Sequence, residues 1–255
     1  MRVLVTGGAG LVGSECCRHF VGAGHHVTSV DDYSRARFFG SEGDTRRTID
    51  RVRREHPEVE HHEIDVRDVE GLRPLVQGVD LVIHAAAQPS HPRSIEIPLE
   101  DFSVNAGGTL GLLELVRRER PEAVFVYCST NKVYGDRPNG LPVVERPTRF
   151  DYDGLDGVDE TMPIDQCLHT PFGVSKAAAD LYVQEYGRLY GLRTGVFRMG
   201  CIAGGAARGV EAHNWESWFV RVALAGTELT VYGHGGKQVR DVVHAYWELA
   251  YMVED

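Results

Sequence analysis

The segment from Met1 to Asp32 leaves this chain little choice of fold. Arg2-Val3-Leu4-Val5 is a short apolar run that breaks into Thr6-Gly7-Gly8-Ala9-Gly10-Leu11-Val12-Gly13, after which residues 11 to 23 carry a helical pattern. A second apolar run, Val27-Thr28-Ser29-Val30, ends in Asp31-Asp32. Strand, glycine turn, helix, strand and terminal acid follow in the order of a dinucleotide-binding βαβ unit. Its glycines permit a tight turn, backbone approach to a pyrophosphate and close packing of helix on strand. The helix N-terminus offers unpaired N–H groups and a partial positive charge to the phosphates. Gly7, Gly10, Leu11 and Val12 are therefore the expected pyrophosphate cradle. Asp31, followed by Asp32 and Ser34, is expected at the adenosine ribose. Arg35 argues for NADP, but Asp31 would repel a 2′-phosphate at close range, so NAD is the expected cofactor.

A chain of 255 residues can form one large α/β domain or a domain with a smaller cap. The net charge of −10, from 37 acids against 27 Lys and Arg, argues against nucleic acid or an anionic membrane as partner. No apolar stretch reaches ~18 residues, and Met1 opens directly into a core strand. Neither a membrane span nor a signal peptide is expected, and the expected location is the cytoplasm. The five cysteines (16, 17, 128, 167 and 201) are odd in number and form no paired spacing, which predicts free thiols. No metal site is expected.

Along the chain, residues 33 to 43 read as a polar loop, residues 44 to 56 as a charged helix stopped by Pro57, and Val59 to Ile64 as a third strand. Asp65 closes that strand, either accepting from the adenine amino group or capping the next helix. Leu81-Val82-Ile83-His84 is a buried strand running into Ala85-Ala86-Ala87-Gln88, small residues against which a cofactor can lie. His84 reads as a satisfied core histidine. Pro89 to Pro98 is expected to be loop, and Asn105 to open a long helix through Glu119. The fifth strand, Ala123 to Tyr127, delivers Cys128-Ser129-Thr130-Asn131-Lys132-Val133-Tyr134-Gly135 to the carboxyl edge of the sheet, where ligands bind. Residues 136 to 170 lack periodicity and read as a substrate-side loop. A helix from Pro171 to Tyr190, a strand from Arg193 to Met199, a helix over 211 to 225 and a last helical stretch after His244 complete the reading.

Taken together, these residues resemble the extended short-chain dehydrogenase/reductase superfamily of NAD-dependent epimerases and dehydratases. The resemblance rests on Thr6-Gly7-x-x-Gly10-x-x-Gly13, Asp31, His84-Ala85-Ala86-Ala87, Asn105-x-x-Gly108-Thr109, Ser129-Thr130, Val133-Tyr134-Gly135, Ser175-Lys176 and Arg240-Asp241. Ser129 to Asp136 and Phe172 to Asp180 are similar to the CDP-paratose (CDP-tyvelose) 2-epimerase group. The resemblance implies a doubly wound parallel sheet (Rossmann). It implies an NAD-binding core over 1–199 and a partial, truncated nucleotide-sugar lobe over 200–255.

It further implies C2 epimerisation of a nucleotide-diphosphate sugar, a CDP-sugar favoured, through a keto intermediate in a homodimer. Thr130 would hold the reacting oxygen and Lys176 the nicotinamide ribose. Asp65, Val66, Ala85, Ala86, Ala87, Asn105, Ser129 and Met199 would complete the cofactor site. Gln88, Ser90, Asn131, Cys201 and Arg240 would meet the substrate. The superfamily's catalytic tyrosine, however, maps onto Phe172, which has no proton to exchange. Three readings stay open: another group acts (Lys176, Tyr134, Cys128, Cys167 or His169), the phenylalanine was introduced to trap a substrate, or the chain binds its ligands without turning them over. Dehydration or dehydrogenation of a nucleotide sugar is the enzymatic alternative to epimerisation.

Overall fold

The structure, a computed structural model, describes residues 1–207, 209–210, 213–231, 235 and 239–245. Strand β1 (Arg2–Thr6) lies in the middle of a six-stranded sheet and is buried from Val3 onward. Helix α1 (Leu11–Gly22) follows the glycine turn and leads to β2 (His26–Val30). Beyond it come α2 (Ser34–Phe39), α3 (Arg46–Glu55), β3 (Glu60–His62), α4 (Val69–Val76) and β4 (Leu81–His84). Next are α5 (His91–Glu96), α6 (Pro98–Phe102), a π turn (Ser103–Gly107), α7 (Gly108–Glu119) and β5 (Val124–Cys128). The hairpin β6 (Val143–Glu145) and β7 (Phe150–Tyr152) precedes α8 (Thr170–Tyr190) and β8 (Arg193–Phe197). Last come β9 (Cys201–Ala203), α9 (Trp215–Ala225) and β10 (Val242–His244).

The main sheet runs β3-β2-β1-β4-β5-β8, with every pair parallel. Its strand order reverses between β1 and β4, which opens a crevice at their carboxyl ends. Alternation along β1 assigns its side chains to two cores. Val3 and Val5 pack with Cys16 and Phe20 of α1 and Ile49 and Val52 of α3. Leu4 faces the other way, into Leu72 and Val76 of α4, Leu112 and Leu113 of α7, and Val183 of α8. The chain is thus doubly wound, as expected.

Several expectations need correction. Residues 33 to 43 hold α2 and a short 3-10 turn (Ser41–Gly43). The stretch after Pro89 forms α5, because Ser90 accepts a hydrogen bond from the Arg93 N–H and Pro92 suits a helix start. At six residues, α5 is too short to leave a periodic signature. Asn105 does not open its helix: α6 and the π turn already lead into α7. The cap of α4 is Asp68, which accepts from the Gly71 N–H at 2.9 Å, and not Asp65. Within the region expected to be loop, Val143 pairs with Tyr152 in the small hairpin. The expected helix start at Glu211 and the stretch after Ala245 lie outside the described residues. Residue 201 pairs with residue 242 in a second, two-stranded parallel sheet.

One buried polar cluster joins the segment after β4 to α6, the π turn and α8. Asp101 accepts from Gln88 Nε2 at 2.7 Å, from Asn105 Nδ2 at 3.2 Å and from the Ser175 hydroxyl. Asn105 also accepts from the Gln88 N–H at 2.9 Å and donates to the Gln88 carbonyl at 3.1 Å. Removing the carboxylate strands these buried donors, so Asp101→Ala is expected to lower stability by ~3 kcal/mol. Urea unfolding checks this, and an unchanged midpoint would show that the cluster contributes nothing to stability.

Candidate active site

A cavity of about 510 Å³ runs along the carboxyl edge of the sheet, from the glycine turn to the end of β5. Its floor at the first turn is backbone. A Cβ on Gly7 would lie 2.7 Å from the Ala85 carbonyl carbon, and one on Gly13 would lie 2.2 Å from the Gly7 oxygen. Gly7 has φ +71°, which glycine adopts without strain. Gly10, Leu11 and Val12 line this end, where the first N–H groups of α1 have no partner within the helix. The shape and donors suit a pyrophosphate.

Asp31 ends β2 on the cavity wall. Its carboxylate accepts from the Ala9 N–H at 3.0 Å and the Tyr33 N–H at 2.8 Å, so it shapes the glycine turn as well as facing the cavity. Burial raises its pKa to about 6, against the pull of those N–H bonds. Asp32, Ser34, Asp65 and Val66 line the same end. Asp32 is paired with Arg37 at 3.0 Å, and Asp65 is gripped by the Arg67 fork. Arg35 is on the wall too, donating to His213 Nδ1 at 3.1 Å with its guanidinium 4.7 Å from the Phe39 ring centre.

The middle of the wall is Ala85, Ala86 and Ala87. Directly beneath it, His84 is fully buried and accounted for. Thr109 donates its hydroxyl to the Asn105 carbonyl at 2.6 Å and therefore accepts from His84 Nε2, 2.9 Å away. Nδ1 then accepts from the Thr6 hydroxyl at 2.7 Å. Burial depresses the ring's pKa to about 3. Both nitrogens are committed, which leaves His84 no lone pair for catalysis.

At the far end, Ser129, Thr130 and Asn131 from the end of β5 meet Phe172 and Lys176 from α8, with Met199 and Cys201 across from them. Residues 172 and 176 are one helical turn apart and share a face. Lys176 is buried, donates to the Cys128 carbonyl at 2.7 Å and sits 4.2 Å from the Tyr127 ring centre. Desolvation lowers its pKa to about 8. Thr130 caps the 3-10 turn Asn131–Tyr134, its oxygen accepting from the Lys132 N–H at 3.3 Å. Ser129 donates to Asp180 at 2.6 Å, a carboxylate also paired with Arg198.

The structure separates some expected site residues from this wall. Asn105, Gln88 and Ser90 are buried behind it, the first two in the Asp101 cluster and the third as a helix cap. Arg240 is exposed and off the wall, but its charge helps depress the pKa values of Lys132 and His91. Of the titratable candidates, Tyr134 accepts from Arg198 at 3.1 Å away from the cavity. His169 has its two nitrogens against the Cys167 and Val133 carbonyls. Cys128 and Lys176 do reach the wall. The sequence reading missed His91, His213, Trp215 and Glu216, all of which line the cavity. Nothing in their spacing signals it, because the fold brings them in from separate segments.

The burial of Asp31 also bears on stability. Its folded pKa lies above the usual 3.8, so the folded state binds the proton more tightly and stability falls as pH rises from about 4 to about 6. In the cofactor-free protein Asp31→Asn is expected to flatten that fall, as read by denaturant unfolding across the window. An identical pH slope in the variant would refute the burial of this charge.

Comparison with known proteins agrees with this geometry. The model of the "NAD dependent epimerase/dehydratase family" matches residues 3–246. A CDP-paratose 2-epimerase from Salmonella typhi is 35% identical over 253 residues, 96% of this chain and 71% of that protein. A putative UDP-glucose 4-epimerase from Methanocaldococcus jannaschii is 28% identical over 95% of this chain and 69% of its own length. The solved UDP-glucose 4-epimerase of Thermus thermophilus, in complex with NAD, superposes with a TM-score of 0.77 at 30% identity, over 99% of this chain and 74% of that one. Among the described residues no helix is long and apolar enough to cross a membrane, and no cluster of His, Cys, Asp and Glu could hold a metal ion. By its glycine cradle, its sheet and its sequence, the chain belongs to the NAD dependent epimerase/dehydratase family.

Proposed function

We propose that the protein epimerises a nucleotide-diphosphate sugar, a CDP-sugar at C2, through a transient ketone. The observation that carries this reading is the cavity joining the glycine cradle to Thr130, Lys176 and position 172. Its setting is a chain 35% identical to a CDP-paratose 2-epimerase. When bound, NAD supplies a hydride acceptor that can return what it takes. Gly7, Gly10, Leu11 and Val12 hold the pyrophosphate, Asp31 the adenosine ribose, and Ala85 to Ala87 give the nicotinamide a flat wall. Lys176 donates to the nicotinamide ribose and Thr130 to the reacting oxygen. Asn131 and Cys201 border the sugar, and Arg240 reaches the diphosphate from the rim, its planar fork suiting phosphate oxygens. Gln88, Ser90 and Asn105 act from behind the wall, as positioning groups.

Exposed Val174, Leu181, Tyr182 and Leu189 recur at helical spacing along α8, which supports a homodimer through that helix. Dehydration is less well supported, since Asn131-Lys132 follows Thr130 where dehydratases carry an acidic pair. A non-catalytic binding protein is the second reading, favoured by Phe172 alone.

Two measurements test the proposal. NAD should bind more tightly than NADP, and Asp31→Ala should narrow the difference by about tenfold, the scale of one charge–hydroxyl contact; calorimetry finding NADP the tighter ligand of the wild-type protein would overturn the cofactor choice. A CDP-sugar deuterated at C2 should keep its label in the inverted product. Loss of label to solvent would replace hydride return by deprotonation, and ligand binding without turnover would leave the binding-protein reading.

A further inference from the structure

Oxidising a secondary alcohol requires a group to take the hydroxyl proton, and Phe172 cannot. The geometry points to His91 as the acid/base that serves the reacting hydroxyl in place of a tyrosine at position 172. This rests on the epimerase reading above. His91 is the first residue of α5, lines the cavity with Phe172, Thr130 and Lys176, and packs edge-on to Phe172 with ring centres 4.5 Å apart. A titratable ring thus stands against the side chain that occupies the tyrosine's place.

Its position is held from both helices. His91 Nδ1 shares a hydrogen bond with Thr170 Oγ1 at 3.2 Å, and the Ser94 hydroxyl oxygen of the same short helix accepts from the Phe172 N–H at 3.1 Å. Thr170 adopts φ +65°, a left-handed conformation that β-branched residues rarely take. In the tautomer this role requires, His91 Nδ1–H donates to Thr170 Oγ1, which leaves Nε2 the lone pair that a substrate hydroxyl needs. Of the cavity's other titratable groups, Lys176 donates to a carbonyl, His213 is the acceptor for Arg35 at 3.1 Å, and the Cys201 sulfur accepts from the Trp215 indole at 3.3 Å, while Cys128 and Glu216 line it from β5 and the first turn of α9.

The step balances. His91 Nε2 would take the hydroxyl proton as the O–H electron pair becomes the second carbon–oxygen bond, with bound NAD as the acceptor of the carbinol hydrogen and its electron pair. Once that hydride is returned to the opposite face, the imidazolium would give its proton back to the oxygen. Lys132 from the 3-10 turn and Arg240 from the segment before β10 bear on His91 electrostatically, and His213 lies within its field. Burial, then those two cations, push its pKa down to about 4, so the ring is neutral and ready to accept at pH 7.

The test uses the full chain with NAD and a CDP-sugar. His91→Gln is expected to lower kcat by ~10²–10⁴-fold, the usual contribution of a general acid/base, while NAD and nucleotide-sugar affinities measured by calorimetry stay within about twofold. Phe172→Tyr placed in the His91→Gln background is expected to restore kcat at least tenfold, because the phenol then stands one turn from Lys176. The acid limb of the wild-type kcat/KM profile should move to higher pH in that double variant, to the range in which the phenol beside Lys176 ionises. Wild-type turnover that survives His91→Gln unchanged overturns the assignment and leaves the epimerase reading intact. A wild-type protein that binds both ligands and turns over nothing overturns both. Should His91→Gln fail to fold, His91→Asn takes its place, with the same loss of kcat expected and unchanged turnover overturning the assignment.

Discussion

The site depends on a carboxylate that never touches the cavity. Asp101 is fully buried, and desolvation raises its pKa although three side-chain donors converge on it. A charge in that position is tolerated only when its lone pairs are filled, so its partners are held as tightly as it is. Those partners are Gln88 after β4, Asn105 in the π turn and Ser175 in α8. The Ser175 hydroxyl, its proton on Asp101, lies 3.1 Å from the Phe172 carbonyl, and the residue after it is Lys176. Fixing Ser175 therefore fixes the rotation of α8, and with it which residues reach the cofactor wall. The π turn belongs to the same device: its extra residue per turn sets Asn105 against both Gln88 and Ser175 without breaking the helix that continues into α7.

A second chain of bonds gives the wall its direction. The Ala86 N–H donates to the Thr6 hydroxyl at 3.4 Å, Thr6 to His84, His84 to Thr109, and Thr109 to the Asn105 carbonyl. Each hydroxyl both gives and receives, so the order of donation is set by the backbone groups at the two ends. The imidazole is the link that spans from β1 to α7. A leucine there would fill the space but take one hydrogen-bond partner from each of two buried hydroxyls. The close approach of Gly7 to Ala85 then follows from position and not from glycine preference alone, since the wall cannot move back.

The sheet was legible in the sequence because a parallel strand buried on both faces reads as an unbroken apolar run. Val3 to Val5, Leu81 to Ile83 and Val124 to Val126 all do so. That the glycine turn, Asp31, Thr130 and Lys176 line one cavity is legible because the expected chemistry requires particular residue types at fixed spacing. Gln88, Ser90 and Asn105, expected at the substrate and cofactor, lie behind the cavity wall: a buried amide and an exposed one look alike in sequence, and only the presence of Asp101 at the right depth separates them. The short helices α2 and α5 were read as loop because neither completes two turns. His91 escaped for a related reason. It stands between two prolines in a segment without periodicity, and its proximity to Phe172 arises only when α5 docks on α8.

The charges around His91 explain why a weakly basic ring suits this site. As the C–H electron pair leaves, the hydroxyl oxygen turns into the oxygen of a protonated ketone, whose proton is held far more loosely than an alcohol's. Even an imidazole with a pKa of about 4 can take it at that point. The same imidazolium is a strong acid and returns the proton readily when the hydride comes back, so neither half-reaction is favoured at the other's expense. Lys132 and Arg240 lower the ring's basicity, and their charge suits the diphosphate that anchors the sugar. A phenol beside Lys176 would work by storing an anion. An imidazole beside a phenylalanine stores none, and the cationic face remains available to the substrate throughout the cycle.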